Sequence, residues 1–367
     1  MSSPLQSVFS AQGQSPWLDN LQRSYLTNGT LRQLIENGVR GLTSNPTIFQ
    51  KAIQGSQDYD AQFTAEIKRG LSSEQAYWEM VLSDINGALD QFNSLHELSS
   101  GVDGFVSVEV DPTLAHDGDA TLTAARHLHN RINRSNVMIK IPATREGLPA
   151  IRTMIAEGRS VNVTLIFSLQ RYSEVMEAYI AGLEDRMNAG ESLSHVQSVA
   201  SFFISRVDNE VDQMLDANAS PQAMSLKGKA AIAQAKLAYE LFTKAFSGDR
   251  WQALSNAGAQ VQRPLWASTS TKNPAYPDTL YVDELIGPHT VNTLPDATLA
   301  AFADHGTVAR TIDTDVHIAH EVWQDIQSLG IDMTAVADKL EREGVASFIK
   351  SFQELLDALS DKASTLS

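Results

Sequence analysis

The chain has 367 residues, 43% of them hydrophobic, enough for a substantial core in one large α/β domain or two smaller ones. A formal net charge of −16 with no basic run argues against nucleic acid or an anionic membrane surface as the main partner. The lack of cysteine removes disulfides, thiolate metal sites and cysteine nucleophiles. Met1 to Gln6 has neither the basic nor the apolar segment of a signal peptide, and no apolar stretch is long enough to span a bilayer, so a cytoplasmic protein is expected.

In chain order, short β-branched runs alternate with longer helical patterns, the signature of βαβ units and a mainly parallel sheet. The runs are Trp17 to Asp19, Gly41 to Asn45, Phe105 to Val110, Val137 to Pro142, Ser160 to Phe167, Val199 to Val207, Pro264 to Ser268 and Thr290 to Leu294. Eight of them predict a closed (β/α)8 TIM barrel rather than an open sheet. Leu31 to Glu36, Ala120 to Ile132 and Gly228 to Phe246 read as helices between strands. The segment 46–100 is too long for one βα connection and carries several helical patterns, so extra helices are expected there, after the second strand. Val345, Phe348, Ile349, Phe352, Leu355, Leu356 and Leu359 recur at helical spacing and predict an amphipathic helix within 330–367, packed on the barrel. With no repeat or long linker, residues 1–367 read as one elaborated domain.

Side chains alternate across a strand, so each run can be sorted into two faces. The sorting places Val106, Val108 and Val110 outward and Ser107, Glu109 and Asp111 inward. On the next run Val137, Ile139 and Ile141 point outward, which turns Lys140 inward; on the one after, Val161, Val163 and Leu165 oppose Asn162 and Thr164. Lys140 is thus a cation within an apolar strand. A strand lysine can also snorkel out at a strand end, and threonine is a good β-former in its own right. The coincidence on adjacent strands favours a use, because an unpaired charge in a barrel interior costs several kcal/mol. Burial disfavours an ammonium ion, and a buried amine points to Schiff-base chemistry on a carbonyl. Thr43 and Asn45 are candidate contacts to a polyol, although a turn with a helix cap explains Asn45 nearly as well. An aspartate such as Asp19, before a helix, is most often a cap.

Taken together, Gly41-Leu42-Thr43-Ser44-Asn45-Pro46-Thr47, Val106 to Asp111, Val137 to Thr144 and Asn162 to Ser168 closely resemble the transaldolase family over roughly residues 15 to 300. The resemblance implies a class I aldolase-type barrel that transfers a dihydroxyacetone unit between sugar phosphates, without metal or cofactor, in the non-oxidative pentose phosphate pathway. It implies Lys140 as the Schiff-base lysine, Asp19 as acid/base, and Glu109 and Thr164 as holders of a catalytic water. Thr43, Asn45 and Asn162 match residues that orient the dihydroxyacetone part or the lysine. Ser201 and Phe203 fit the sixth-strand pattern, with Arg206 as the phosphate-binding arginine. Where many relatives carry a second phosphate-binding arginine this chain has Lys272, with Ser270 beside it; a lysine holds phosphate as a point charge without a bidentate fork.

A fructose 6-phosphate aldolase would share the lysine, the aspartate and the fold, but such relatives have glutamine and tyrosine where this chain has Glu109 and Phe203. A catalytically silent sugar-phosphate-binding barrel would be expected to lose the lysine or its acid/base partners. As to metals, His127 and His129 are two apart on a predicted helix and diverge, while His317 and His320 lack a third ligand, so no metal site is expected. The sequence leaves monomer and homodimer open.

Overall fold

The computed structural model describes residues 3–366. Among them, eight strands close in chain order into an all-parallel barrel: β1 (Gln14–Leu18), β2 (Gly41–Thr43), β3 (Phe105–Glu109), β4 (Val137–Pro142), β5 (Val161–Ile166), β6 (Ser198–Phe203), β7 (Arg263–Ala267) and β8 (Thr290–Leu294). β1 closes the ring on β8 through five aligned pairs from Gln14 with Thr290 to Leu18 with Leu294. Helices alternate with the strands, which makes this a (β/α)8 barrel. None of the described helices is long and apolar enough to cross a membrane.

Most strands fall where alternation puts them, and their ends differ for local reasons. β1 starts earlier than expected and stops before Asp19, whose amide still donates to Leu294 O at 2.9 Å. β2 begins on a glycine because Trp17 of β1 lies over it; a Cβ on Gly41 would come within 2.4 Å of the indole. β6 ends at Phe203 rather than Val207, so Arg206 stands in the first turn of the helix Ser205–Asn218. That turn is anchored by Asp208, which accepts from Ala231 N and the Tyr281 hydroxyl, both at 2.7 Å.

Two inward and outward assignments fail. Asp111 lies beyond β3, where its carboxylate accepts from Thr113 N at 2.8 Å and caps a short 3-10 turn instead of entering the lumen. Leu165 does not continue the outward row of Val161 and Val163, because the pairing of β5 with β6 slips after Val163 and Leu165 takes φ 61°. Such a bulge re-aims the side chain it carries.

The segment after β2 forms the helices Pro46–Gln54, Asp60–Lys68 and Ser73–Leu98. Local signals start them: Asn45 caps the first, with proline at its first position, and Ser72 with Gln75 makes a reciprocal capping box on the third. The expected C-terminal helix is longer than its apolar stripe suggested, running Met333–Ser364 from an Asp332 cap. It buries Val345, Phe348, Phe352, Leu355 and Leu359, and it leans on the inserted helices through Phe352 against Tyr77 and a 2.8 Å hydrogen bond between the Thr47 and Ser351 hydroxyls. The N-terminal mouth of the barrel is shut by a buried charge cluster. Asp103 takes Arg40 Nε at 2.6 Å, Ser15 Oγ at 2.9 Å and Arg263 Nη1 at 3.1 Å.

Candidate active site

Polar side chains gather at the C-terminal ends of the strands, the end where this architecture presents its loops and chemistry. Glu109 on β3, Lys140 on β4 and Asn162 on β5 are consecutive partners across the sheet, so the pleat brings them to one level and one side. Lys140 is 5% exposed and Glu109 6%. Lys140 Nζ lies 3.2 Å from Glu109 Oε2 and donates to Ser44 O at 3.1 Å.

Asp19, just past β1, is half-buried and accepts from Thr43 Oγ1 at 2.8 Å; the neighbouring helix Arg23–Thr27 starts after Gln22, so Asp19 does not cap it. Burial pushes its carboxyl above the ordinary value, against the pull of Lys140, the Thr43 hydroxyl and Arg206. Burial raises Glu109 as well, with Lys140 the chief opposing influence. Two carboxyls of raised pKa beside one buried lysine form a set with the chemistry to accept and donate protons to a bound substrate.

Thr164 Oγ1 is buried without a hydrogen-bond partner among the described residues, and the equally buried Glu109 Oε2 has only its ion pair with Lys140. The Asn162 amide is engaged by two serines: Nδ2 donates to Ser107 Oγ at 3.1 Å and Oδ1 accepts from Ser201 Oγ at 2.7 Å. Ser107 and the Ser44 carbonyl are members of the cluster that sequence reasoning did not single out. Ser107 was legible, since alternation points it inward with Glu109. The Ser44 carbonyl was not, because main-chain acceptors carry no residue signature.

The mouth is lined by Phe203 and Arg206. Phe203 packs against Phe167 with ring centres 5.0 Å apart, and the Arg206 guanidinium stands 5.0 Å from the Phe203 ring. Arg206 is half-buried and has no hydrogen bond or ion pair with any described residue. Burial lowers its pKa, while Asp19, Glu109 and Glu343 act in the opposite direction. Asn45 spends its Oδ1 on Ile48 N at 3.0 Å, so its cap is real whatever else its amide does. On the loop after β7, exposed Lys272 donates to Ser270 Oγ at 2.9 Å, and neither is hydrogen-bonded to the lumen residues among those described. No group of three or more described His, Asp or Glu residues has the arrangement of a metal site; His320 instead pairs with Glu240 at 2.9 Å.

A family model described as transaldolase/fructose-6-phosphate aldolase matches residues 16–359. The chain belongs to that family. A transaldolase of Parafrankia sp. (strain EAN1pec) is 51% identical, over 99% of this chain and 98% of its own length. One of Thermobifida fusca (strain YX) is 50% identical over 99% of each chain, and a protein named transaldolase 2 from Nostoc sp. (strain PCC 7120) is 47% identical over 97% and 96%. The family match runs from within β1 through β8 to most of the C-terminal helix.

Proposed function

We propose that the enzyme is a transaldolase that moves a dihydroxyacetone unit from a ketose phosphate to an aldose phosphate through a Schiff base on Lys140. The observation that carries this reading is Lys140 itself, a buried amine at 3.2 Å from Glu109 and within the electrostatic reach of Asp19. Fructose 6-phosphate or sedoheptulose 7-phosphate is the donor, and erythrose 4-phosphate or glyceraldehyde 3-phosphate the acceptor. The Arg206 guanidinium, which stacks near Phe203 but makes no ion pair with the described residues, takes the phosphate, with Lys272 and Ser270 as the second contact. Thr43, Asn45, Asn162 and Ser201 orient the dihydroxyacetone end and the lysine, and Phe203 lines its passage.

The Lys140 amine attacks C2 of the ketose, and the carbonyl oxygen takes a proton to become a hydroxyl. Loss of that oxygen as water gives the iminium, with Glu109 and the Thr164 hydroxyl relaying the protons through a water. Asp19 accepts the proton of the C4 hydroxyl, the C3–C4 bond breaks, and its electron pair runs into the iminium to leave an enamine on Lys140. The aldose phosphate departs; an acceptor aldehyde then reacts with the enamine carbon, and the steps run backward to release the new ketose phosphate. The iminium is the electron sink that a metal-dependent aldolase draws from a Lewis acid, so the route calls for no metal.

The insertion and the C-terminal helix serve as parts of one domain with the barrel, in a cytoplasmic enzyme of the non-oxidative pentose phosphate pathway. Borohydride reduction in the presence of fructose 6-phosphate, followed by peptide mass mapping, tests the mechanism. A dihydroxyacetone adduct on Lys140 is expected, and its absence or its appearance on another lysine overturns the mechanism. Measuring heptulose formation against free dihydroxyacetone distinguishes transfer from simple aldol cleavage, and Glu109 with Phe203 favours transfer.

A further inference from the structure

Gly344 lies well inside the helix Met333–Ser364, where glycine is the poorest helix former after proline, and it is buried. A Cβ built there would sit 3.0 Å from Leu165 Cδ2, 3.4 Å from Arg206 Nη1 and 3.5 Å from Phe167 Cε2. The first of these is tighter than ordinary side-chain contacts. Leu165 is the bulged β5 residue at φ 61°, and Phe167 is the ring that supports Phe203. A strained backbone, a glycine in a helix interior and a guanidinium with neither hydrogen bond nor ion pair among the described residues therefore converge on one point of the mouth. The helix is pinned there from both sides: Glu341 approaches Arg171 at 3.5 Å, on the helix that follows β5, and Lys339 binds Glu210 at 2.7 Å, on the helix that carries Arg206.

We propose that Gly344 is a positioning residue for phosphate recognition: by presenting bare helix backbone, it gives the Arg206 guanidinium the room to face the incoming phosphate, with Leu165 as the floor of that seat. The inference rests on the assignment of Arg206 to the phosphate. It makes the C-terminal helix a wall of the substrate site, and it separates phosphate capture, which depends on this wall, from Schiff-base chemistry, which does not.

The test uses the full-length enzyme and its Gly344→Ala and Gly344→Leu variants. Three readouts are taken: KM and kcat for fructose 6-phosphate, the inhibition constant of inorganic phosphate, and the rate of borohydride trapping of free dihydroxyacetone on Lys140. KM and the phosphate constant should rise together, by about twofold to fivefold for alanine and more than about tenfold for leucine, the scale of a weakened charge-assisted hydrogen bond. Trapping should stay at the level of the unaltered enzyme, since dihydroxyacetone carries no phosphate. Unchanged KM and phosphate constants, or trapping that falls in step with them, would overturn the inference. Should the leucine variant fold poorly, Gly344→Ala decides on the same three readouts. If the unaltered enzyme gives no Lys140 adduct, the catalytic reading itself fails and takes this inference with it. An intact adduct with unmoved phosphate constants sinks the inference alone.

Discussion

Thr164 shows how a single residue separates function from stability. Its hydroxyl is fully buried and has no hydrogen-bond partner among the described residues, so the fold gains nothing from it and bears the cost of its desolvation. Thr164→Val swaps that hydroxyl for a methyl of the same shape. Unfolding free energy should stay level or rise by up to about 1 kcal/mol, while kcat should fall by about tenfold to a hundredfold if the hydroxyl relays protons. Denaturant melts and steady-state kinetics on the same preparation check this, and an unchanged kcat would remove Thr164 from the mechanism. Glu109, Lys140, Asn162 and Thr164 were legible in the sequence because the valines and isoleucines between them fix which way they point. Neither the Lys140 bond to the Ser44 carbonyl nor the engagement of Asn162 by Ser107 and Ser201 was, since both depend on how neighbouring strands are staggered.

At the level of elements, local chemistry foretold starts better than ends. Asn45-Pro46 read nearly as well as a turn with a helix cap as it did as a polyol contact, and the cap is present. The two roles can be parted by Asn45→Ser, since serine caps as well as asparagine but lacks the amide. Stability should hold within about 0.5 kcal/mol, and kcat/KM for the ketose phosphate should drop severalfold if the amide also orients substrate. A Tm that falls without any kinetic change would leave only the cap. The β5 bulge was invisible for the opposite reason. Val161 to Leu165 alternates cleanly, and the slip at Leu165 lies beside a helix that returns far later in the chain. Likewise the sixth run passes from Phe203 through Ile204, Ser205 and Arg206 to Val207 with no glycine or proline to mark a stop, so Arg206 fell on a strand end rather than in a helix turn.

For the whole molecule, the count of runs and their spacing sufficed for the barrel, and the surplus length after β2 for the insertion. What joins the ring at its closed end was not legible, because Ser15, Arg40, Asp103 and Arg263 are scattered over four separate segments. Burial alone would raise the Asp103 carboxyl, but Arg263, Arg40 and Ser15 together hold it below its ordinary 3.8. A carboxyl held low in the folded state adds stability above its unfolded pKa and loses it as pH falls through the folded value. Arg263→Met leaves Arg40 as the one remaining cation on Asp103. The substitution should cost about 3 to 5 kcal/mol at neutral pH, as breaking a buried ion pair does. It should also move the onset of acid unfolding to higher pH. Chemical denaturation across a pH series measures both, and a loss independent of pH would show that Asp103 is not the proton-linked group.

The C-terminal helix bears on the order in which the enzyme becomes competent during synthesis. The ribosome makes Asp19, Glu109, Lys140 and Thr164 before the later strands, and β8 must emerge before β1 has both its neighbours. The helix Met333–Ser364 follows every strand, yet it reaches back to Thr47 across 304 positions and to Arg206 at the mouth. All eight strands are therefore synthesised before the helix that stands beside Arg206. The residues proposed for the chemistry are made first, and the helix proposed to shape phosphate recognition is made last.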